Sequence, residues 1–130
     1  MAIVKVESGC FRRVFLFWGL AVKVPQTYSW RNFLTGLLTN MSERRIWRKW
    51  PAELRGRLCP VLFSDPLGFV VIMPRLRLLS YEELGHAFPS RKAFYGAVRS
   101  EGLAIPVERK ADSWGWFKGR VVAIDYHELR

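Results

Sequence analysis

Apolar and polar positions change period several times along the chain, and each change marks an element. Ile3-Val4-Lys5-Val6 alternates, and the runs Val14-Phe15-Leu16-Phe17 and Leu20-Ala21-Val22-Lys23-Val24 follow it, which predicts three short strands over residues 2–24. Ser8-Gly9 and Trp18-Gly19 supply the turns between them, and Pro25 ends the third. From Ser29 the period becomes helical: Trp30, Phe33, Leu34, Leu37 and Leu38 follow the i, i+3, i+4, i+7, i+8 rule. Asn40 with Glu43 three residues on reads as a capping box that opens a second helix. Ile46, Trp47 and Trp50 form its apolar side and Pro51 marks its exit. Residues 58–63 and 69–73 are β-rich runs on either side of the turn Ser64-Asp65-Pro66-Leu67-Gly68.

After Pro74 the chain turns helical again. Ser80-Tyr81-Glu82-Glu83 is a capping box, and Ser90 opens a segment through Ala93, Phe94, Ala97 and Val98 that Gly102 ends. Residues 114–117 and 120–124 flank Lys118-Gly119 as a closing hairpin. The expected class is α+β: a small antiparallel sheet with packed helices, then a short helical region and a C-terminal β-hairpin. No repeat, low-complexity segment or linker interrupts the pattern, so residues 1–130 read as one domain.

Composition narrows the class. Half of the 130 residues are hydrophobic and 15% are aromatic, which excludes a disordered chain. No apolar run reaches the roughly 18 residues of a membrane span, because Gly19 and Lys23 interrupt residues 15–24. The first residues alternate like a strand and lack the apolar block of a signal peptide. Cys10 and Cys59 suit a reduced compartment and are too few for a metal site. A cytoplasmic protein without a membrane role is expected.

Charge changes the picture further. The net charge of +10 and a pI near 10.3 attract polyanions: nucleic acid, anionic lipid, nucleotides or an acidic protein surface. Most basic residues are dispersed. Arg44, Arg45, Arg48 and Lys49 stand at i, i+1, i+4 and i+5, which spreads them over one broad helical face, with Ile46 and Trp50 turned toward the sheet. These four are the candidate partner-binding residues. A host or partner protein with an acidic surface is the expected ligand. Nucleic acid is the alternative, with the basic residues on phosphates and Trp47 or Trp50 stacked on bases.

The residues at the joints of this pattern resemble the protein-kinase-like fold family over nearly the whole chain. Glu7-Ser8-Gly9-Cys10-Phe11-Arg12-Arg13-Val14 resembles a degenerate glycine-rich phosphate loop in which Gly9, Phe11 and Val14 are retained, while Glu7 and Arg12 replace glycines. Ala21-Val22-Lys23-Val24 resembles the third-strand lysine motif, and Glu43 lies where the family keeps the helix carboxylate that pairs with it. Residues 69–75, with Met73, resemble the strand and hinge that contact adenine. Val107-Glu108-Arg109-Lys110-Ala111-Asp112-Ser113-Trp114-Gly115 resembles a catalytic loop, and Asp125-Tyr126 the metal-binding motif after it.

The resemblance implies ATP and Mg²⁺ as cofactors. Gly9, Lys23, Glu43 and Met73 would hold the nucleotide, Ser113 and Asp125 the metal, and Lys23, Glu108 and Asp125 would do the chemistry. It also implies that Lys23, Glu43 and Asp125 converge on one cleft. Glu108 stands where the family uses Asp and Ser113 where it uses Asn. One added methylene displaces a carboxylate by about 1 Å, which can cost about 10²-fold in rate. Five residues follow Asp125, so no activation segment or substrate lobe is expected, and His127 reads as a surface residue. His86 reads as structural. The expected function is that of a truncated pseudokinase that binds a partner macromolecule, as a bacteriophage accessory protein that modulates a host protein would. An active minimal phosphotransferase and a basic nucleic-acid-binding protein are the alternatives.

Overall fold

The computed structural model describes residues 5–9, 11–100 and 102–126. The expectations for Ile3-Val4, Cys10 and His127 lie outside them. The chain folds into two compact units, one from residues up to Arg45 together with Pro60–Arg75, the other from Ile46–Cys59 and Leu76–Tyr126.

The first unit is a five-stranded antiparallel sheet with a helix. Its strands are β1 (Lys5–Ser8), β2 (Arg12–Leu16), β3 (Leu20–Pro25), β4 (Phe63–Ser64) and β5 (Val71–Pro74), in the order β1-β2-β3-β5-β4. The N-terminal meander arises from local turns, as the alternation predicts. Helix α1 runs unbroken from Trp30 to Lys49, and its residues from Ile46 onward belong to the second unit. Ser29 Oγ accepts the N–H of Asn32 at its start, which satisfies one of the orphan donors of the first turn.

Asn40 is therefore not a cap. It is fully buried in mid-helix, and its amide donates to the carbonyl oxygens of Lys23 (3.1 Å) and Gly68 (3.0 Å). Its N-x-x-E spacing mimics a capping box, but burial beside two carbonyls gives the side chain a better use. Of residues 58–63, only Phe63 enters the sheet. Leu58 instead bridges Ala123, and Pro60 has no N–H to extend a ladder. In the following turn Asp65 accepts the N–H groups of Leu67 (3.2 Å) and Val70 (2.7 Å). Burial alone would push the Asp65 carboxyl up, but the amides of Val70, Phe69 and Leu67 outweigh it and hold it below its usual range. Gly68 sits at φ +83°, and a Cβ there would collide with the carbonyl oxygen of Leu37, so this turn packs on α1 only as glycine.

The second unit is built from α2 (Ala52–Arg55), β6 (Arg77–Leu78), α3 (Tyr81–Ala87), α4 (Arg91–Ala97), the β7–β8 hairpin (Arg99–Ser100 and Leu103–Ala104), a 3-10 turn (Ala111–Ser113), and β9 (Trp114–Phe117) with β10 (Arg120–Ala123). Strands β10, β9 and β6 form an antiparallel sheet. The segment that Ser90 opens ends at Ala97, and Gly102 lies in the β7–β8 hairpin rather than at a helix end. The core is aromatic: the ring of Phe88 lies 4.7 Å from that of Trp114 and 5.2 Å from that of Phe94. The Tyr126 hydroxyl donates to the Cys59 carbonyl at 2.7 Å. The chain is thus mixed α+β, with an antiparallel five-stranded sheet, four α-helices and a C-terminal hairpin sheet among the described residues.

The capping box at Ser80 forms as expected: Ser80 Oγ accepts the Glu83 N–H, and Glu83 Oε1 accepts the Ser80 N–H at 2.9 Å. Glu83 also takes a bidentate pair of bonds from Arg77 (3.1 and 3.0 Å) and one from Trp116 Nε1 (3.1 Å). The Arg77 hydrogen bonds, then the Ser80 amide, lower its pKa from 4.5 to about 2. A depressed carboxylate contributes stability that is complete above its unfolded pKa and lost as pH falls through the folded one. Arg77→Ala should therefore lower the urea midpoint near neutrality, and its difference from the wild type should shrink as pH falls from 4.5 toward 2. Paired urea titrations across that range check this; a pH-independent difference would show that Arg77 acts only through packing on Trp116, over which it lies at 5.6 Å.

Candidate functional site

Lysine on a central strand is costly unless its ammonium finds a carboxylate. Lys23 pairs across β3 with Val14 of β2 on one side and Val71 of β5 on the other, and is only 6% exposed. Glu43, on the buried side of α1, is 0% exposed. Lys23 Nζ donates to Glu43 Oε1 at 3.1 Å and Oε2 at 3.3 Å. The resemblance implies this strand-to-helix pair, and here it closes within one unit.

A second cation joins it. Arg12 lies two residues before Val14 on β2, so its side chain shares a face with that of Lys23, one step along the diagonal. Its guanidinium grips both Glu43 oxygens (2.6 and 3.1 Å) and donates to Asn40 Oδ1 at 3.1 Å. Two cations thus share one carboxylate in a largely dehydrated place. Coulomb attraction there is far stronger than in water. The motif reading missed this role for Arg12, treating it only as a replaced glycine. The signal was its two-residue offset from the position opposite Lys23.

The loop that resembles a phosphate cradle is closed on itself. The Gly9 N–H donates to the Arg12 carbonyl at 2.8 Å, and the Gly9 carbonyl accepts from Gln26 Nε2 at 3.2 Å. Met73 is a buried residue of β5 paired with Ala21.

The other candidates lie in the second unit. Trp114 is fully buried, and its Nε1 donates to the Glu108 carbonyl at 3.0 Å; Arg109 donates twice to the Phe88 carbonyl (3.2 and 2.7 Å). These bonds shape the 108–113 loop. The Glu108 side chain is exposed, with Lys110 Nζ 3.9 Å from its carboxylate. Ser113 is 1% exposed; its carbonyl accepts the Ile124 N–H at 2.9 Å, which brings the loop beside the strand end that leads into Asp125. Its Oγ is buried without a hydrogen-bond partner, a costly state for a hydroxyl. That orphan oxygen, next to the chain that carries Asp125, suits a hard cation. The Ser113 hydroxyl by itself is a thin donor set, and Mg²⁺ would keep several waters there. Among the described residues no group of three or more His, Cys, Asp or Glu forms a metal cluster.

On α1, Arg45, Arg48 and Lys49 are exposed, whereas Arg44 is half-buried and its Nε lacks a partner. Ile46 is fully buried in the second unit. Trp47 carries the Arg55 guanidinium over its ring at 4.7 Å, and Trp50 Nε1 donates to the Ala104 carbonyl at 3.1 Å. Both indoles proposed for base stacking are thus engaged within the protein. No helix of the described residues is long and apolar enough to cross a membrane. No protein-family model, curated protein or solved structure matches the chain.

Proposed function

We propose that this chain is a kinase-like domain that binds a partner macromolecule and transfers no phosphate, in the manner of a cytoplasmic bacteriophage accessory protein that modulates a host protein. The observation that carries the reading is the buried Arg12–Glu43–Lys23 cluster. In a working kinase the helix carboxylate positions a lysine whose charge is spent on nucleotide phosphates. Here Arg12 claims the same two carboxylate oxygens, and the lysine serves as a tie between β3 and α1. Glu108 and Ser113 stand where the chemistry calls for Asp and Asn. ATP and Mg²⁺ stay proposed ligands, with Lys23 of the first unit toward phosphate and Ser113 and Asp125 of the second toward metal, and the partner-binding role does not need them.

The partner favoured is an acidic protein surface. Trp47 and Trp50, the two indoles beside the basic cluster, are engaged within the protein, which disfavours the base stacking that single-strand binding there would use. The binding half of the reading is tested by fluorescence titration of the full chain with polyglutamate and with single- and double-stranded oligonucleotides at several salt concentrations. Polyglutamate should bind, weaken as salt rises, and lose several-fold in affinity in Arg45→Glu/Arg48→Glu. Oligonucleotide binding that is tighter at physiological salt, with log K falling by about 0.7 to 0.9 per log salt for each phosphate contacted, would replace the protein partner with nucleic acid.

A further inference from the structure

Two arginines of the second unit lie over indole rings, and only one of them has a carboxylate. Arg77 sits 5.6 Å from the Trp116 ring and gives both arms of its fork to Glu83. Arg55, at the end of α2, sits closer to its ring, 4.7 Å from that of Trp47. Its Nε is buried without a hydrogen-bond partner, so this donor has left water and gained no acceptor. The ring contact holds a long side chain in place, which lowers the entropy cost of any later bond to it.

A second guanidinium arrives beside it from another strand. Residues 57–59 run alongside the end of β10: Leu58 bridges Ala123, the Ala123 N–H donates to the Arg57 carbonyl, and the Cys59 N–H donates to the Ala123 carbonyl. That pairing carries Arg120, the first residue of β10, to Gly56, where its Nη1 lies 3.7 Å from the place a Cβ would take. Arg57 and Arg120 are exposed. Among the described residues no carboxylate forms an ion pair with Arg55, Arg57 or Arg120. Glu53 is the one acid of residues 46–59. It stands two positions from Arg55, about 200° around the helix, and accepts the Ser100 hydroxyl. The anion that Arg77 finds inside the protein must reach Arg55 and its neighbours from outside.

The number of arginines indicates which anion. One fork saturates one carboxylate, as Arg77 does Glu83. Guanidinium groups on adjoining positions suit a group with more oxygens and more charge, and a phosphomonoester brings three acceptor oxygens and nearly two charges. The site is open to solvent, so a free phosphate gains few contacts there. Arg48 and Lys49, both exposed and next to Trp47, offer further contacts to a chain that carries the phosphate and acidic residues beside it. A nucleic-acid strand fits less well, because its diesters carry one charge each and the Trp47 ring already holds Arg55.

We propose that Arg55, Arg57 and Arg120 bind a phosphorylated serine, threonine or tyrosine side chain on an acidic segment of a partner protein. The proposal deepens the partner-binding reading and rests on it. The test is fluorescence anisotropy of the full chain at physiological salt with three labelled peptides, identical but for phosphoserine, serine or glutamate at the centre of a glutamate-flanked segment. The phosphoserine peptide should bind at least tenfold more tightly than the serine peptide and several-fold more tightly than the glutamate one. Arg120→Gln, at an exposed position that should leave the circular dichroism native, should weaken the phosphoserine peptide at least tenfold, and Arg120→Lys should weaken it too, because the charge stays and the fork is lost. Arg91→Gln/Lys92→Gln removes more charge from the same unit and should change binding less than twofold. Equal binding of the three peptides, indifference to Arg120→Gln, or an equal loss in the Arg91/Lys92 pair would overturn the site. So would inorganic phosphate that binds as tightly as the phosphoserine peptide, or a single-stranded oligonucleotide that binds more tightly through Arg120. If the three peptides bind alike, an acidic partner stands and this site alone is wrong; if neither they nor polyglutamate bind, the reading beneath it falls as well.

Discussion

Replacing Glu43 with alanine should cost the fold about 3–5 kcal/mol, the penalty for breaking a buried ion pair by removing one partner. The size follows from what is left behind. Arg12 and Lys23 would face each other across the cavity, each largely out of water and without the carboxylate they share. A domain of this kind has about 5–15 kcal/mol of stability in all, so the variant should be partly unfolded at 37 °C. Glu43→Gln should be nearly as damaging, because an amide oxygen cannot neutralise two cations. Arg12→Met should cost less, since it leaves Lys23 on the Glu43 carboxylate. The triple variant Arg12→Met/Lys23→Met/Glu43→Leu should recover much of the loss, because apolar side chains of similar volume remove the burial penalty along with the attraction. Guanidinium unfolding of the four variants beside the wild type measures this. A loss below about 1 kcal/mol for Glu43→Ala would place the cluster among weak surface pairs and contradict the geometry.

Legibility in the sequence tracks how local each cause is. The β1–β3 meander, the caps at Ser80 and Ser90, and the β9–β10 hairpin were all readable, because alternation, a hydroxyl at the helix start and a Lys-Gly turn act over a few residues. Asn40 was misread because the same four-residue spacing serves a cap or a buried crosslink, and only the arrival of β3 and the Gly68 turn decides between them. Residues 58–63 look like a strand, yet Leu58 finds its bridge at Ala123, far along the chain. The period of α1 was clear, but a helix with apolar residues on more than one side does not announce which side is buried. Leu34 and Leu38 share the helical spacing yet face water, while Thr39, Asn40 and Glu43 hold the interior. Within the candidate site, Lys23 was conspicuous as a charge on an apolar strand and Glu43 as its complement. Arg12 was not, since its role follows from strand register rather than from any motif.

Phosphoryl transfer from radiolabelled ATP is the measurement that bears most directly on the account. Transfer needs the γ-phosphorus held in line with an acceptor hydroxyl, a carboxylate placed to receive its proton, and cations on the phosphate oxygens. On the proposed kinase-like reading that carboxylate would be Glu108, which is exposed with Lys110 Nζ 3.9 Å away. Its added methylene displaces the group by about 1 Å, a change that can cost about 10²-fold. Lys23 is held against Glu43 beneath Arg12, and on the proposed reading Ser113 offers a hydroxyl where the family uses an amide carbonyl. The assay should run on the full chain with Mg²⁺, offering the protein itself, generic protein acceptors and water, with Lys23→Ala and Asp125→Ala in parallel. Asp125→Ala is the more informative control, because Lys23→Ala also disturbs the buried cluster. The account predicts that none of the three proteins incorporates or releases label above background; wild-type transfer that disappears in the Asp125→Ala variant would contradict it.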